Sequence, residues 1–319
     1  MSRTILSTLS PAAFRALLGT ATSASRVVPV DATWYMPNSG KNGLQEFLEQ
    51  ERIPNAGFFD LDAISLPGSK YPHMLPTYSI FNQAIQELGI RKNDTLVVYD
   101  KSGIFSSPRA AWTFALFGHP RVYLLDNYIT YKQAEYQLDL KPVDTLSTPL
   151  VSESSEPYQP ISEAEFKTKY DEQVIEYEEL LDLVQTNKLA QDYYAFDARP
   201  HDRYTGKVPE PRPGLSSGHV PSSLSLPFSK VINADNKTYK SKEELLEIFK
   251  RDFDLDLSNS DFLKGKKGII VMCGSGVTAV VLRFAIQSVI GLDVPIRVYD
   301  GSWTEWASRA PSELIVKTH

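Results

Sequence analysis

Residues 269–279 read Ile-Ile-Val-Met-Cys-Gly-Ser-Gly-Val-Thr-Ala, and this stretch decides the fold class. The four apolar residues before the cysteine form the short uninterrupted run that a buried strand of a parallel sheet requires. Two glycines follow within three residues of the cysteine, and residues 280–290 are mostly apolar over the length of a helix. The stretch therefore predicts a strand, a tight turn and a helix, which together form the repeating unit of an α/β fold.

Cys273 is the only cysteine of the chain, and it stands where the predicted strand meets the turn. Ligands of open α/β sheets bind at this end of the strands. The backbone N–H groups of residues 274–278 can turn inward to form an anion-binding nest, and the helix dipole adds positive potential. Such surroundings lower the pKa of a thiol and favour a thiolate nucleophile. The alternative is a small core cysteine, but a core strand has no need of glycines directly after it.

An internal repeat extends this prediction to the rest of the chain. Residues 193–198, Tyr-Tyr-Ala-Phe-Asp-Ala, have a counterpart in residues 27–32, Val-Val-Pro-Val-Asp-Ala. The strand before Cys273 likewise matches residues 95–99, so that Asp100 stands where the second half has its cysteine. Each half alternates β-branched runs with amphipathic helical patterns. We therefore expect an α/β fold of two tandem domains, each a mostly parallel sheet flanked by helices.

The length of the chain and its composition place the domain boundaries. A chain of 319 residues suits two domains of ordinary size. Residues 142–160 are rich in Pro, Ser, Thr and Glu and show little apolar periodicity, which is typical of a linker. We therefore place the first domain at 1–141, an interdomain linker at 142–172 and the second domain at 173–319.

Charge and residue usage exclude several classes of function. The net charge of −6 is mild and spread along the chain, so we expect no direct binding of nucleic acid. No apolar run approaches the roughly 18 residues that cross a bilayer, and we expect no membrane partner. One cysteine excludes an intramolecular disulfide and a multi-cysteine metal site, and the histidines lack the spacing of metal ligands. We therefore expect neither a metal nor a cofactor.

Two interpretations of the first 30 residues bear on localisation. A lone cysteine suits a reducing compartment, and we expect a cytoplasmic protein. However, these residues contain three arginines and no acidic residue, a composition typical of mitochondrial transit peptides, so the mitochondrion is a second expected location. Alternatively, Ser10, Pro11 and Phe14 indicate the N-cap, first position and buried face of a helix of the first domain.

Several motifs together resemble one known family. The main ones are residues 273–279, Cys-Gly-Ser-Gly-Val-Thr-Ala, and residues 299–306, Tyr-Asp-Gly-Ser-Trp-Thr-Glu-Trp. Shorter ones are Pro-Val-Asp-Ala-Thr-Trp-Tyr at 29–35, Ile-Pro-Asn-Ala at 53–56, Ser-Ser-Pro-Arg at 106–109 and Pro-Glu-Pro-Arg at 209–212. Over nearly its whole length the chain resembles the tandem-rhodanese thiosulfate/3-mercaptopyruvate sulfurtransferases. The resemblance implies two rhodanese-like domains, of which the first is catalytically silent.

The resemblance also implies the reaction. Cys273 would take a sulfur atom from 3-mercaptopyruvate as a persulfide and release pyruvate. Family members that prefer thiosulfate carry basic residues after the cysteine, whereas Gly274 and Ser275 are typical of the mercaptopyruvate type. The absence of charge at Gly274 and Ser275 agrees with this assignment, because thiosulfate is a dianion and its binding is favoured by cations beside the thiolate. The sulfur acceptor would be external, such as a small thiol, thioredoxin or a sulfur-relay protein on a route to tRNA thiolation, and a cysteine desulfurase is a further expected partner.

Substrate-binding roles follow from the same resemblance. Arg203 and Arg212 match the positions that bind the donor, and a guanidinium grips a carboxylate through two parallel hydrogen bonds. Glu210 would orient Arg212. The loop residues around the sulfur would hold it as an anion; they are Gly274, Gly276, Val277 and Thr278.

A proton path is also implied. Asp62 and His73 belong to the first half of the chain, and a cleft between the domains would bring them near Cys273. Ser275 would relay the proton to the leaving pyruvate enolate. Pro72, directly before the histidine, departs from relatives that often have Asp there, but the role does not depend on that residue.

Three alternatives remain beside this interpretation. One is a thiosulfate:cyanide sulfurtransferase, that is, a rhodanese. A second is a non-catalytic persulfide carrier or scaffold, which the presence of both Arg203 and Arg212 argues against. The third is a cysteine phosphatase, which needs an arginine at the end of its loop to clamp phosphate. Ala279 stands at that position and Arg283 lies deeper in the predicted helix, so the phosphatase is disfavoured.

Overall fold

The computed structural model describes residues 6–144, 146, 157–259 and 261–318, and these form two compact units. The first unit lies within Met1–Pro67, Leu75–Lys169 and Asp235–Thr238. The second lies within Gly68–Met74, Tyr170–Ala234 and Tyr239–His319. Two short segments thus pack with the unit of the other half of the sequence. The boundaries 1–141, 142–172 and 173–319 stay a prediction.

The first unit is built on a five-stranded sheet. Its strands are β1 (Ser7–Leu9), β2 (Val27–Asp31), β3 (Gly57–Phe58), β4 (Thr95–Tyr99) and β5 (Val122–Leu125). They lie in the order β1-β5-β4-β2-β3, and every paired neighbour is parallel. The accompanying α-helices are α1 (Pro11–Leu18), α2 (Gly43–Glu49), α3 (Tyr78–Glu87), α4 (Ser107–Leu116), α5 (Tyr128–Gln133) and α6 (Glu163–Gln173), of which α6 ends in the second unit. A 3-10 turn covers Pro37–Ser39.

The second unit repeats this plan. Its strands are β6 (Val174–Ile175), β7 (Tyr193–Asp197), β8 (Leu224–Ser225), β9 (Gly268–Met272) and β10 (Ile296–Tyr299). They lie in the order β6-β10-β9-β7-β8, again with parallel neighbours. Its α-helices are α7 (Tyr177–Gln185), α8 (Lys188–Asp192), α9 (His201–Thr205), α10 (Lys242–Phe253), α11 (Ala279–Phe284) and α12 (Ser302–Arg309). Shorter turns are the π-helical Ala285–Ile290 and the 3-10 segments Phe228–Val231 and Ser312–Leu314.

The two strand orders confirm the internal repeat and the α/β fold class. The strand that ends at Asp31 and the strand that ends at Asp197 hold the same place in their sheets. Likewise β4 ends directly before Asp100, as β9 ends directly before Cys273. Parallel sheets are covered on both faces, which explains why β2, β4 and β9 are mostly apolar and wholly buried.

Local sequence signals start several of the helices. Oγ of Ser10 accepts the N–H of Ala13 at 3.2 Å, Pro11 follows as the first helical residue, and Phe14 is fully buried. The interpretation of this segment as a helix of the first unit is therefore confirmed. In α10, Ser241 and Glu244 form a capping box, in which each side chain accepts the backbone N–H of the other residue.

Among the described residues, no helix is both long enough and apolar enough to cross a membrane.

Candidate active site

Cys273 directly follows β9, and a loop of five residues, 274–278, connects it to the start of α11 at Ala279. This is the predicted strand, turn and helix. The cysteine is 2% exposed. Gly276 has φ +74°, a left-handed conformation that costs glycine little and other residues more. Gly274 lies outside that region, and a Cβ built on it would meet Nη2 of Arg203 at 3.3 Å.

Ser302 organises the inside of this loop. Its Oγ accepts the N–H groups of Cys273 at 3.0 Å and Gly276 at 3.1 Å, and it donates to the carbonyl of Tyr299 at 2.7 Å. The N–H of Gly276, which we expect to face a bound anion, donates to Ser302 here, so its anion-binding role stays a prediction. Sequence reasoning missed Ser302, although it belongs to the motif Tyr-Asp-Gly-Ser-Trp that prompted the family resemblance.

Val277 and Thr278 complete the loop before α11. Val277 is buried and Thr278 is the N-cap of α11, and their carbonyls accept the N–H groups of Val280 at 3.3 Å and Val281 at 3.1 Å. These carbonyls are therefore directed into the helix. The predicted anion-binding roles of Gly274, Val277 and Thr278 stay predictions.

His73 and Ser275 are brought together in the second unit. Nδ1 of His73 lies 2.9 Å from Oγ of Ser275, and the two residues are 3% and 5% exposed. His73 has φ +61°, an uncommon backbone conformation for a residue other than glycine. It lies in the short segment 68–74, which packs with the second unit rather than with its sequence neighbours. No pattern in the sequence indicates that this segment packs with the second unit.

Asp62 belongs to the first unit. Its Oδ2 accepts the indole N–H of Trp34 at 3.0 Å, and its backbone carbonyl accepts the hydroxyl of Ser65 at 2.6 Å. The carboxylate is on an exposed residue. Its predicted pairing with His73 stays a prediction.

Arg203 is held by Glu210. Its Nε donates to Oε1 of Glu210 at 3.2 Å, and its Nη2 donates to Oε2 of the same carboxylate. The arginine side chain is 16% exposed and the glutamate side chain 3%. Arg203 thus combines a fixed guanidinium with a position beside Gly274. Arg212 is half-buried on the loop after α9, and the role expected for Glu210 toward it stays a prediction.

Arg199 lies behind this pair and was missed by sequence reasoning. It donates to both oxygens of Asp197, to Oε1 of Glu210 at 2.9 Å and to the carbonyl of Gly218 at 2.7 Å. Its guanidinium lies 4.3 Å from the ring centre of Trp303. Burial alone would lower the pKa of Arg199, but the two carboxylates raise it above its ordinary value. The arginine therefore stays charged. The sequence signal that could have found Arg199 is Asp197, an acid two residues earlier at the end of a predicted strand, which needs a buried cation as its partner.

The first unit has a different occupant at the equivalent loop. Oδ2 of Asp100 accepts the N–H groups of Phe105 at 3.0 Å, Ser106 at 3.1 Å and Ser107 at 2.9 Å, and the hydroxyl of Ser107 at 2.6 Å. Oδ1 accepts the N–H of Ser102 at 3.0 Å. The carboxylate of the chain itself therefore fills a cradle of backbone donors. This agrees with the expectation that the first domain is silent, which remains a prediction.

The position of Arg283 bears on the cysteine phosphatase alternative. Arg283 donates to the carbonyl of Ile296 and, at 2.9 Å, to the side chain of Gln173, so its guanidinium is directed at the sheet. This position does not suit the phosphate clamp of a cysteine phosphatase.

Within the part of the chain that the structure describes, no cluster of three or more His, Cys, Asp or Glu side chains is arranged to hold a metal ion.

Comparisons with known proteins agree with the repeated fold. Residues 41–130 and 176–309 each match the family model of the rhodanese-like domain. Thiosulfate sulfurtransferase TUM1 of Saccharomyces cerevisiae is 42% identical over 316 residues, which cover 97% of this chain and 97% of the relative. Thiosulfate/3-mercaptopyruvate sulfurtransferase 1, mitochondrial, of Arabidopsis thaliana is 37% identical over 286 residues, which cover 88% of this chain and 71% of the relative. A crystal structure of the yeast Tum1 protein has a TM-score of 0.84 at 39% identity and covers 98% of each chain.

The matched segments fall one in each half of the chain, and each contains strands of one of the two repeated sheets. The prediction of two tandem rhodanese-like domains is therefore confirmed. The identity with the yeast relative runs over nearly the full length of both proteins. The chain belongs to the tandem-rhodanese thiosulfate/3-mercaptopyruvate sulfurtransferases, and it is a sulfurtransferase.

Proposed function

We propose that this sulfurtransferase takes sulfur from 3-mercaptopyruvate onto Cys273, releases pyruvate and passes the sulfur to an external thiol. One observation carries the choice of donor. The two residues after the cysteine, Gly274 and Ser275, bring no cation to the thiol, and Ser275 is instead hydrogen-bonded to His73. That pair suits a donor whose leaving group must gain a proton.

The first half-reaction follows from this arrangement. The thiolate of Cys273 attacks the sulfur of mercaptopyruvate, and the carbon–sulfur bond breaks with its electron pair moving to the leaving carbon. A cysteine persulfide and the enolate of pyruvate result. Ser275 and His73 deliver a proton to the enolate, and the product is pyruvate. Asp62 is proposed to support His73 in this step.

Arg203 is suited to hold the carboxylate of the donor. It lies beside Gly274 and is fixed by the buried carboxylate of Glu210, so little side-chain freedom is lost when a ligand binds. Arg212 is proposed as the second carboxylate ligand. Because Glu210 also contacts Arg199, the orientation of Arg203 depends on a network of charges that is buried before the donor arrives.

Thiosulfate is the second candidate donor, and the name of the yeast relative favours it. That relative is named a thiosulfate sulfurtransferase, and its name does not mention mercaptopyruvate. The guanidinium of Arg203 beside Gly274 supplies one positive charge to a dianion, fewer than a loop with its own basic residues. In this case sulfite is the leaving group and no enolate needs a proton.

The second half-reaction needs an acceptor from outside the chain. Cys273 is the only cysteine, so no internal thiol can resolve the persulfide. We propose thioredoxin, a small thiol or a sulfur-relay protein leading to tRNA thiolation as acceptor, with a cysteine desulfurase as a further partner.

We also propose that the protein is present in the mitochondrion as well as in the cytoplasm. The name of the Arabidopsis relative, which includes the word mitochondrial, supports the mitochondrial location.

The test uses the purified protein with each donor and no acceptor. After mercaptopyruvate, mass spectrometry of the peptide around Cys273 should show the mass of one added sulfur atom, together with one pyruvate released per protein. Thiosulfate should give the same adduct with sulfite, more slowly at equal donor concentration. Sulfur on the cysteine from thiosulfate alone would reject mercaptopyruvate as the donor, and no adduct from either donor would reject the proposed function.

A further inference from the structure

The first turn of α12 is bonded to the backbone of the cysteine loop. The N–H of Trp303 donates to the carbonyl of Cys273 at 2.9 Å. The N–H and hydroxyl of Thr304 donate to the carbonyl of Gly274 at 2.9 Å and 2.7 Å. Ser302, the first residue of the same turn, accepts two amides of the loop as described above. The carbonyls of Cys273 and Gly274 are thus directed at α12.

These bonds determine where the neighbouring amides point. In a planar trans peptide the carbonyl of one residue and the N–H of the next lie on opposite sides. The peptides after Cys273 and Gly274 are trans. Because both carbonyls point at α12, the N–H groups of Gly274 and Ser275 point away from it. The face of the loop turned from α12 therefore presents N–H donors, which stabilise a sulfur anion.

Ser302 has a strained backbone conformation at the position from which it binds the cysteine loop. Its φ is +50°, in the left-handed region that L-residues other than Asn and Asp seldom adopt, and the residue is 0% exposed. Its hydroxyl makes three hydrogen bonds, two of them to amides of the cysteine loop. A glycine would satisfy the backbone at this position but could not tie the loop, so the hydroxyl has a purpose beyond the turn.

We propose that Ser302 is a positioning residue that fixes the cysteine loop so that its amides face the sulfur of Cys273 and keep the thiol reactive. The hydroxyl acts through the backbone of the loop, and its role does not depend on which donor is used. The inference rests on the proposed function only in that Cys273 is the nucleophile.

The variant Ser302→Gly tests this role, because glycine accepts the positive φ and removes only the hydroxymethyl group. Iodoacetamide labels the thiolate, and with one cysteine in the chain the label reports Cys273 alone. We expect alkylation near neutral pH to slow about tenfold, equivalent to an upward shift of about one unit in the pH midpoint. With either donor, kcat should fall while KM stays within about twofold, since no donor contact is removed.

Ser223→Gly is the matched control. Ser223 is also buried in the second unit, and its hydroxyl donates to the carbonyl three residues earlier at 2.7 Å, as that of Ser302 does. The hydroxyl of Ser302 also accepts amides of the cysteine loop. We expect a wild-type alkylation profile from this control. An unchanged profile in folded Ser302→Gly, or an equal shift in Ser223→Gly, would overturn the inference.

A second variant decides the matter if Ser302→Gly does not fold. Thr304→Val keeps the shape of the side chain and the N–H bond but removes the hydroxyl bond to Gly274. It should slow alkylation about threefold, as one neutral hydrogen bond is lost; no slowing would contradict the inference. Thiol alkylation requires no sulfur donor, so a failed sulfur-transfer assay would count against the proposed function and leave this result standing.

Discussion

Nδ1 of His73 lies 2.9 Å from Oγ of Ser275, although the two residues are 202 positions apart in the chain. Both side chains are almost wholly buried, and Ser275 is two residues beyond Cys273. A hydroxyl can donate one hydrogen bond while it accepts another, so it can pass a proton between the imidazole and a group bound at the cysteine. The pair therefore connects the cysteine loop to a titratable side chain.

Replacing Cys273 with Ser should abolish sulfur transfer without unfolding the protein. A hydroxyl has nearly the size of a thiol but is a far poorer nucleophile at neutral pH, and it cannot carry a persulfide. Steady-state assays with both donors measure the loss, and circular dichroism checks the fold. Appreciable turnover by the folded variant would reject the mechanism.

His73→Asn should lower kcat with mercaptopyruvate by about 10²–10⁴-fold if the imidazole delivers the proton. Asn is the better replacement because it tolerates the positive φ of this residue, whereas Ala would add backbone strain. Ser275→Ala should have a similar effect, and the double variant should be no worse than the slower single one. Turnover of thiosulfate should fall much less, because sulfite leaves without needing a proton. A loss of only a few-fold with mercaptopyruvate would make both residues structural.

Arg203→Ala should raise KM for mercaptopyruvate, with a cost of about 1.5–3 kcal/mol per charged hydrogen bond lost. Glu210→Gln should raise it less, because the amide keeps one acceptor for the guanidinium but loses the charge that fixes it. Arg251→Ala is the control, since that arginine is exposed and paired with Asp252. Kinetic constants that match wild type in both test variants would return Arg203 to a structural role.

Installing cations by the double substitution Gly274→Arg and Ser275→Lys should shift the ratio of kcat/KM toward thiosulfate. Both changes add positive charge for the dianion, and the second also removes the hydroxyl bonded to His73. Gly274 does not have a left-handed φ, so the backbone accepts the side chain provided that Arg203 moves slightly. The single variant Gly274→Arg separates added charge from the loss of Ser275. A folded double variant with an unchanged donor ratio would show that loop charge does not select the donor.

Asp31 should make the stability of the first unit depend on pH. Burial raises its pKa from 3.8 to about 6, against the opposing effects of Lys101 and of the Thr33 hydrogen bonds. The folded state thus binds the proton more tightly than the unfolded state, so this group loses stability as the pH rises from about 4 to 6. The loss is on the order of 3 kcal/mol for a shift of about two units.

The variant Asp31→Asn resembles the protonated acid and removes this dependence. Urea unfolding should show the variant gaining stability over wild type as the pH rises toward about 6, and a constant difference above that value. Groups that titrate in both proteins cancel in the comparison. A difference between the two proteins that is the same at about pH 4.5 and about pH 7 would contradict the raised pKa.

The pattern of residues 269–279 was sufficient for the local structure around the cysteine. An apolar run, two glycines and a second apolar run specify a buried strand, a turn and a helix, because periodicity and backbone freedom act over a few residues. Because the strand patterns repeat, the same fold could be predicted for the first half of the chain, and the equivalent strand orders of the two sheets agree with that prediction. The first helix was equally predictable, since Ser10 and Pro11 act on the backbone directly beside them.

Residue patterns did not determine which distant residues meet beside the cysteine loop; the family resemblance implied His73 and Arg203 there, and tertiary structure decided their partners. The segment that carries His73 packs with the second unit, Ser302 accepts amides from a loop 26 and 29 positions earlier, and Glu210 joins Arg203 to the buried Arg199. The bond from the amide of Gly276 to Ser302 could not be read from the sequence for the same reason, because Ser302 lies beyond the next strand. Such contacts depend on strand order and on the path of each loop, which no periodic pattern encodes. The sequence thus determined the turn that follows Cys273, the proposed nucleophile, and the packing of distant segments decided which groups hold that turn in place.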